Sequence, residues 1–309
     1  MKVAIIGASS FIAKYIIEQF SNDDKLLLGR NPLNLKDQAL HLDYNYPDNS
    51  FSDCKKYGVL GECEVIYYFA GAGIQSNDIS SLHIMNDLNA NEPINLYKTL
   101  SKLDYSGQLI TFGSYFEIGI CNEPKSHTEI EFISHTNKIP SGYASSKHQL
   151  TKYVIKYGIH NPEISWAHFV LPNVYGKGEN EYRLFPYIIQ CVKNNLPIHL
   201  GLGNNIRQFI HVFDLTNFLF NVREKKVNGI FHLSSSDTVL VKDAAEMAIS
   251  ICEKKFNNKA RIIRNDMSRK DQRLPYLILN DNMARASLGW NNFTKLPEGI
   301  THYFTHGKD

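Results

Sequence analysis

Four consecutive apolar residues, Val3-Ala4-Ile5-Ile6, run into Gly7-Ala8-Ser9-Ser10 and then straight into the apolar-periodic stretch Phe11-Ile12-Ala13. A short β-forming run, a turn of small residues and a helix start leave few folds open, because the chain must reverse between two buried elements with no linker. The same rhythm then repeats. Strands are expected at 2–6, 25–28, 39–42, 65–69 and 108–112, with helical patterns at 11–20 and 84–103. Residues 164–170 read as a sixth strand after a helical run over 144–157, and 230–233 as one more strand returned to the sheet. Alternation of this kind predicts an α/β fold, a doubly wound parallel sheet with helices on both faces. After Pro172 the rhythm changes, and glycines and polar residues cluster at 176–180 and 201–205, as expected for loops of a smaller C-terminal lobe.

Composition removes several classes of function. The chain has 309 residues, 43% hydrophobic and 21% charged, which suits a water-soluble globule. Lys and Arg number 33 against 31 Asp and Glu, a net charge of +2, so no global field favours nucleic acid. No uncharged apolar stretch approaches the ~18 residues of a membrane span. The first apolar run stops at Gly7, short of the ~7–15 residues of a secretory signal. Five cysteines (Cys54, Cys63, Cys121, Cys191, Cys252) are widely spaced without a CxxC pair, and the histidines show no metal-ligand spacing. Neither a disulfide framework nor a metal is expected, and a cytoplasmic setting is.

The opening turn suits a dinucleotide. A pyrophosphate needs close backbone approach and the free N–H groups of a helix amino terminus. In a GxxGxxG spacing Gly7 remains, while Ser10 and Ala13 take the other two places. Gly7, Ser9, Ser10, Phe11 and Ile12 are therefore the expected pyrophosphate segment; an ordinary strand–loop–helix would carry the same letters. An NAD site ordinarily has an acidic residue ~20 positions on, bonding the ribose 2′-hydroxyl. Gly29 stands 22 residues beyond Gly7, and Arg30 follows it. A missing carboxylate beside a guanidinium favours a 2′-phosphate, hence NADP(H) over NAD(H), with a solvated surface arginine as the alternative. Asp43, just past the third expected strand, is placed in the same cofactor set.

Tyr143-Ala144-Ser145-Ser146-Lys147 is a YxxxK motif opening an expected helix. Positions i and i+4 share a face, so Lys147 lies beside the Tyr143 phenol and is expected to lower its pKa from ~10. Ser114 ends an expected strand, Ile110-Thr111-Phe112-Gly113-Ser114, at the edge that faces a ligand crevice.

With these motifs in place the chain resembles the extended short-chain dehydrogenase/reductase family of nucleotide-sugar epimerases, dehydratases and reductases. The resemblance rests on the segment from Gly7 to Ile12, on Tyr68-Phe69-Ala70-Gly71, Asn89, Ser114, Tyr143 and Lys147. It continues in Pro172-Asn173-Val174-Tyr175-Gly176, in Arg207-Gln208-Phe209-Ile210-His211-Val212-Phe213-Asp214-Leu215, and in Leu288-Gly289-Trp290. It implies a Rossmann-like dinucleotide domain over 1–171 plus about 212–235, and a nucleotide-sugar lobe over 172–211 and 236–309. It implies Ser114, Tyr143 and Lys147 as catalytic residues, with Tyr143, Lys147, Ala70 and Gly71 also along the cofactor. Ser114, Asn173 and Arg207 would hold the substrate, with Arg183, Arg269 and Arg273 as further cations for its diphosphate and His211 structural. A homodimer built on the helices near 84–103 and 145–157 is implied as well. One departure stands out: many relatives carry an arginine shortly before the asparagine at 173, where this chain has Val170-Leu171-Pro172.

The resemblance also ranks the chemistries. Family 4,6-dehydratases follow the catalytic Ser/Thr with an Asp-Glu pair, whereas Tyr115-Phe116 occupy those places and Glu117 is expected to point elsewhere. Redox-neutral 4-epimerases usually carry the acidic residue after the second strand. The expected reaction is therefore NADPH-dependent reduction of the C4 keto group of a nucleotide-activated 4-keto-6-deoxyhexose, with dTDP the expected nucleotide and a surface polysaccharide such as O-antigen the destination. A 4-epimerase with tightly bound NAD(P) and a non-catalytic NADP-binding sensor are the alternatives.

Overall fold

The computed structural model describes residues 1–29, 40–73, 80–160, 163–235, 237–264 and 274–305. Strands β1 (Lys2–Ile6), β2 (Asp24–Gly29), β3 (Leu40–Asp43), β4 (Val65–Tyr68), β5 (Gln108–Ser114) and β6 (Ser165–Leu171) come first. The short strands β7 (Asn173–Tyr175), β8 (Pro197–Leu200), β9 (Ile206–Arg207) and β10 (Phe209–His211) follow, then β11 (Gly229–His232). The helices that frame the site are α1 (Phe11–Gln19), α2 (Ser80–Asn86), α3 (Glu92–Lys102), α4 (Glu129–Ser134), α5 (Gly142–Tyr153), α6 (Leu184–Lys193), α7 (Val212–Val222) and α8 (Val241–Phe256).

Seven strands form one parallel sheet in the order β11-β6-β5-β4-β1-β2-β3. The chain runs outward from β1 to β3 and then crosses to β4 on the other side of β1. That reversal leaves a crevice at the carboxyl ends of β1 and β4, where open α/β sheets bind ligands. The strands are near-continuous apolar runs because both faces are covered. Alternate residues go to opposite sides. Ala4 and Ile6 pack with Leu28, Ile66, Leu96, Leu100, Leu150 and Trp166 beneath α3 and α5. Val3 and Ile5 pack with Ile16, Ile17, Leu27, Leu215 and Leu219 beneath α1 and α7. A third core under α6 and α8 joins Phe185, Ile188 and Ile198 to Ala244, Ala248 and Ile249.

The expected fold class is the observed one, with informative differences at element ends. Strand β5 runs two residues beyond the expected end, so Ser114 is still in the ladder, opposite Leu171 of β6. The expected helix over 84–103 begins at Ser80 and is interrupted by a π-turn over Asp87–Asn91. The helix expected from 144 begins at Gly142, which places Tyr143 in its first turn, and it ends in a second π-turn over Val154–Gly158. The single strand expected at 230–233 does return to the sheet, beside β6. Residue 39 of the expected third strand lies outside the described residues.

Candidate active site

Ser114, Tyr143, Asn173, Arg183 and Arg207 line one cleft of about 450 Å³. Elements from the middle of the chain deliver them. Ser114 closes β5, and its extended backbone starts a 3-10 turn over Tyr115–Ile118. Ser141 caps α5 by accepting from the Ala144 N–H at 3.1 Å, which sets Tyr143 at the helix entrance. Phe116 presents its ring edge-on to the Tyr143 ring, centroids 6.2 Å apart.

The electrostatics differ from the expectation for YxxxK. Desolvation raises the Tyr143 phenol above its ordinary value; the Ser114 hydroxyl and the more distant Arg183 work against that, and Glu117 adds to it. The expected lowering by Lys147 is absent. The reason is geometric: the Lys147 ammonium donates to the Phe112 carbonyl at 3.0 Å. Burial pulls Lys147 itself down to about 8, and the Glu117 charge opposes the fall.

The opening turn has the close backbone approach that a dinucleotide needs. Gly7 has φ +79°, and a Cβ there would stand 2.7 Å from the Ala70 Cα, so the ends of β1 and β4 can close only around glycine. The N–H groups of Gly7 and Ala8 both donate to the Leu28 carbonyl, at 2.8 and 3.1 Å. Ser10 caps α1 through the Ala13 N–H, while Phe11 and Ile12, in the first turn, have no intrahelical acceptor. No acidic residue sits in that turn to repel phosphate. Ser9 is exposed, and Ala13 is fully buried against the sheet. At the neighbouring strand end, the Asn89 amide accepts from Ala72 N–H at 3.1 Å and donates to Ala72 O at 3.0 Å, with a second donation to the Ser146 hydroxyl at 3.1 Å. That clamp fixes Ala70 and Gly71 beside α5; a Cβ on Gly71 would meet the Asn89 Oδ1 at 2.9 Å.

Strand β2 ends on Gly29, paired with Asp43 of β3. Asp43 is exposed at the same sheet edge. Arg30, Arg269 and Arg273 lie outside the described residues.

The substrate arginines are more engaged than the sequence suggests. Arg207 is buried and donates to the carbonyls of Ile206 at 2.8 Å and Pro275 at 3.5 Å while still bordering the cleft. Arg183 pairs with Glu179 at 2.8 Å. Glu179 is buried, receives the Tyr303 hydroxyl, and is pushed up by desolvation against the pull of Arg183. Sequence reading named neither Glu179 nor the aromatic wall of Tyr115, Phe116, Tyr175, Phe185 and Phe209 as site residues. His211 does not line this cleft. It caps α7 through the Phe213 N–H at 3.3 Å, stands edge-on to Tyr175, and is lowered by burial to about 4. Among the described residues no group of three His, Cys, Asp or Glu is arranged to hold a metal, and no helix is long and apolar enough to cross a membrane.

Against this geometry the chain matches the NAD dependent epimerase/dehydratase family over residues 3–233. The chain belongs to that family. Among curated relatives, CDP-abequose synthase of Salmonella muenchen is 20% identical over 175 residues, covering 55% of this chain and 57% of the relative. The chain thus spans little more than half the length of that protein. Two solved structures share the fold across 98% of this chain. UDP-glucose 4-epimerase of Thermotoga maritima, bound to UDP-glucose, has a TM-score of 0.82 at 16% identity, with 98% of it covered. dTDP-glucose 4,6-dehydratase of Bacillus anthracis, in complex with NAD, has a TM-score of 0.78 at 14% identity, with 96% of it covered.

Proposed function

We propose that the chain is an NADPH-dependent reductase of the C4 keto group of a nucleotide-activated 4-keto-6-deoxyhexose. The reading is carried by one juxtaposition: Ser114 and Tyr143 meet in the cleft, with Tyr115 and Phe116 at the positions where dehydratases carry acid and base. The bound nicotinamide supplies the hydride. Ser114 and Tyr143 hold the ketone oxygen and stabilise the charge that develops on it. Tyr143 releases its proton to that oxygen, the Ser114 hydroxyl favours the phenolate left behind, and Lys147, anchored on the Phe112 carbonyl, is the cation for the cofactor ribose. Asn173, Arg207 and Arg183 hold the diphosphate, the last with its charge partly offset by Glu179. Residues 172–211 and 236–309 form the nucleotide-sugar lobe, and 1–171 with about 212–235 the dinucleotide domain.

Similarity to CDP-abequose synthase makes a CDP-linked ketosugar the first substrate to test, ahead of the dTDP form, and supports a role in O-antigen sugar synthesis. Mixing protein, NADPH and CDP-, dTDP- or GDP-linked 4-keto-6-deoxyhexoses should oxidise the nicotinamide, read by its absorbance. No oxidation with any of them overturns the reductase reading. Preference for NADP(H) rests on the absence of a carboxylate at Gly29 and on Arg30 next to it. Arg30→Ala should raise KM for NADPH far more than for NADH; equal effects would return the cofactor to NAD(H), the form bound in the dehydratase structure. The second reading, a 4-epimerase with retained cofactor, has the likeness to the Thermotoga epimerase behind it. Cofactor that survives gel filtration together with interconversion of C4 epimers would select it. A homodimer across the helices near 84–103 and 145–157 is part of the proposal; Ile84 and Tyr157 are exposed on these segments, and light scattering reads the mass.

A further inference from the structure

Behind the cleft lies a carboxylate that the proposed chemistry does not use. Glu117 is fully buried and turned away from the substrate space. One oxygen accepts the Ser114 N–H at 2.7 Å and the other the Thr151 hydroxyl at 2.6 Å. Thr151 follows Lys147 by one turn and Tyr143 by two, so the three share a face of α5. A single carboxylate therefore joins the serine turn to the Tyr–Lys helix.

Trp166 Nε1 donates to Thr111 Oγ1 at 2.8 Å, Thr111 meets His168 Nδ1 at 2.8 Å, and His168 Nε2 meets Thr151 Oγ1 at 3.0 Å. An indole N–H only donates, so Thr111 Oγ1 accepts from Trp166. His168 bridges Thr111 and Thr151 through its two ring nitrogens, and the Thr151 hydroxyl donates onward to Glu117. At the end of that chain Glu117 accepts on both oxygens. The other titratable neighbours are His148, with Nδ1 3.6 Å from the carboxylate, His135 stacked on His148, and Lys147 and Tyr143, on which the Glu117 charge acts. Space for the assembly is reserved at Gly113, where a Cβ would meet His168 Nε2 at 2.7 Å and Glu117 Oε1 at 2.8 Å.

We propose that Glu117 is a positioning residue that locks Ser114 against the helix carrying Tyr143 and Lys147 and acts as the counter-charge of the Lys147 ammonium. The assignment rests on the reductase reading for its kinetic part and on nicotinamide binding alone for its electrostatic part. Glu117→Gln keeps an oxygen for Ser114 and lets Thr151 turn its proton to the Lys147 carbonyl, already 3.2 Å away. It removes only the charge. Glu117→Ala removes charge and tie together, and Thr151→Val cuts the tie on the helix side.

Turnover with NADPH and ketosugar gives kcat and KM, and NADPH fluorescence titrated from pH 6 to 10 gives the alkaline limb of cofactor binding. Glu117→Ala should lower kcat about 100-fold with KM nearly unchanged, the scale of a small misplacement of reacting groups. Glu117→Gln should recover most of that kcat at neutral pH yet shift the alkaline limb down by about one pH unit, because Lys147 loses the neighbour that favours its charged form. Thr151→Val should lower kcat and leave the limb in place. An unmoved limb in Glu117→Gln, or unchanged kcat in Thr151→Val, overturns the proposal, and both tests stand if the alanine variant does not fold. If the wild type binds NADPH but reduces no ketosugar, the reductase reading falls while the limb still decides the role of Glu117.

Discussion

Tyr143 is a phenol whose burial works against ionisation, and that decides how it can act. Desolvation holds it above the ordinary tyrosine range, so at neutral pH it is a proton donor kept in its acid form. This suits the reduction direction, in which the ketone oxygen must receive a proton. Tyr143→Phe should lower turnover by about 10²–10⁴-fold, the range for losing a general acid, while NADPH affinity stays within a factor of a few. Stopped-flow turnover and fluorescence titration check the two halves; retained turnover would move the proton donor elsewhere. At this scale much of the site was legible. Ser114, Tyr143, Asn173, Arg183 and Arg207, each named from its motif or charge, line one cleft. Glu179 and Glu117 were not readable as site residues, because a carboxylate inside a loop or turn carries no spacing that separates a buried partner from a solvated one.

The element that carries the cofactor argument is the β1–turn–α1 unit. Its conformation depends on Gly7, where left-handed backbone and contact with the carboxyl end of β4 coincide. Gly7→Ala should cost at least about 1–2 kcal/mol from the backbone alone, and more from the clash, and should abolish nicotinamide binding. Gly58, in a 3-10 turn with nothing within 4 Å of a built Cβ, is the control and should tolerate alanine. Thermal melts with a cofactor titration on both variants test the pair; equal behaviour would detach the turn from the cofactor. Element identity followed from hydrophobic period, but element ends did not. β5 outruns its apolar pattern because Gly113 and Ser114 still pair with β6, and the long helix from Ser80 takes in an extra residue at Asp87–Asn91, where Asn89 reaches the Ala72 backbone.

The whole molecule buries several imidazoles that it keeps neutral. His168 and His232 are lowered to about 3 and His211 to about 4, in each case chiefly by desolvation. Their unfolded pKa is near 6.5, so between 6.5 and about 4 the unfolded chain binds protons that the native chain refuses. Stability therefore falls as pH drops through that window, with a slope approaching about 1.4 kcal/mol per pH unit for each imidazole. Glu129, Glu179 and Asp214, raised by burial, act in the opposite sense just above their unfolded values. Urea midpoints at pH 7.5 and 5.0 check the balance: a clear loss at pH 5.0 is expected, and equal midpoints would refute it. The sequence by itself determined the parallel sheet, the glycine turn and the tyrosine–lysine helix, because each is written in local period and spacing. Only the tertiary structure decided that Glu117 lies against Ser114 and Thr151, that Arg183 is shared with Glu179, and that Lys147 is held on the Phe112 carbonyl while burial raises Tyr143. Those outcomes depend on which distant segments exclude water together, and no local pattern of residues records that.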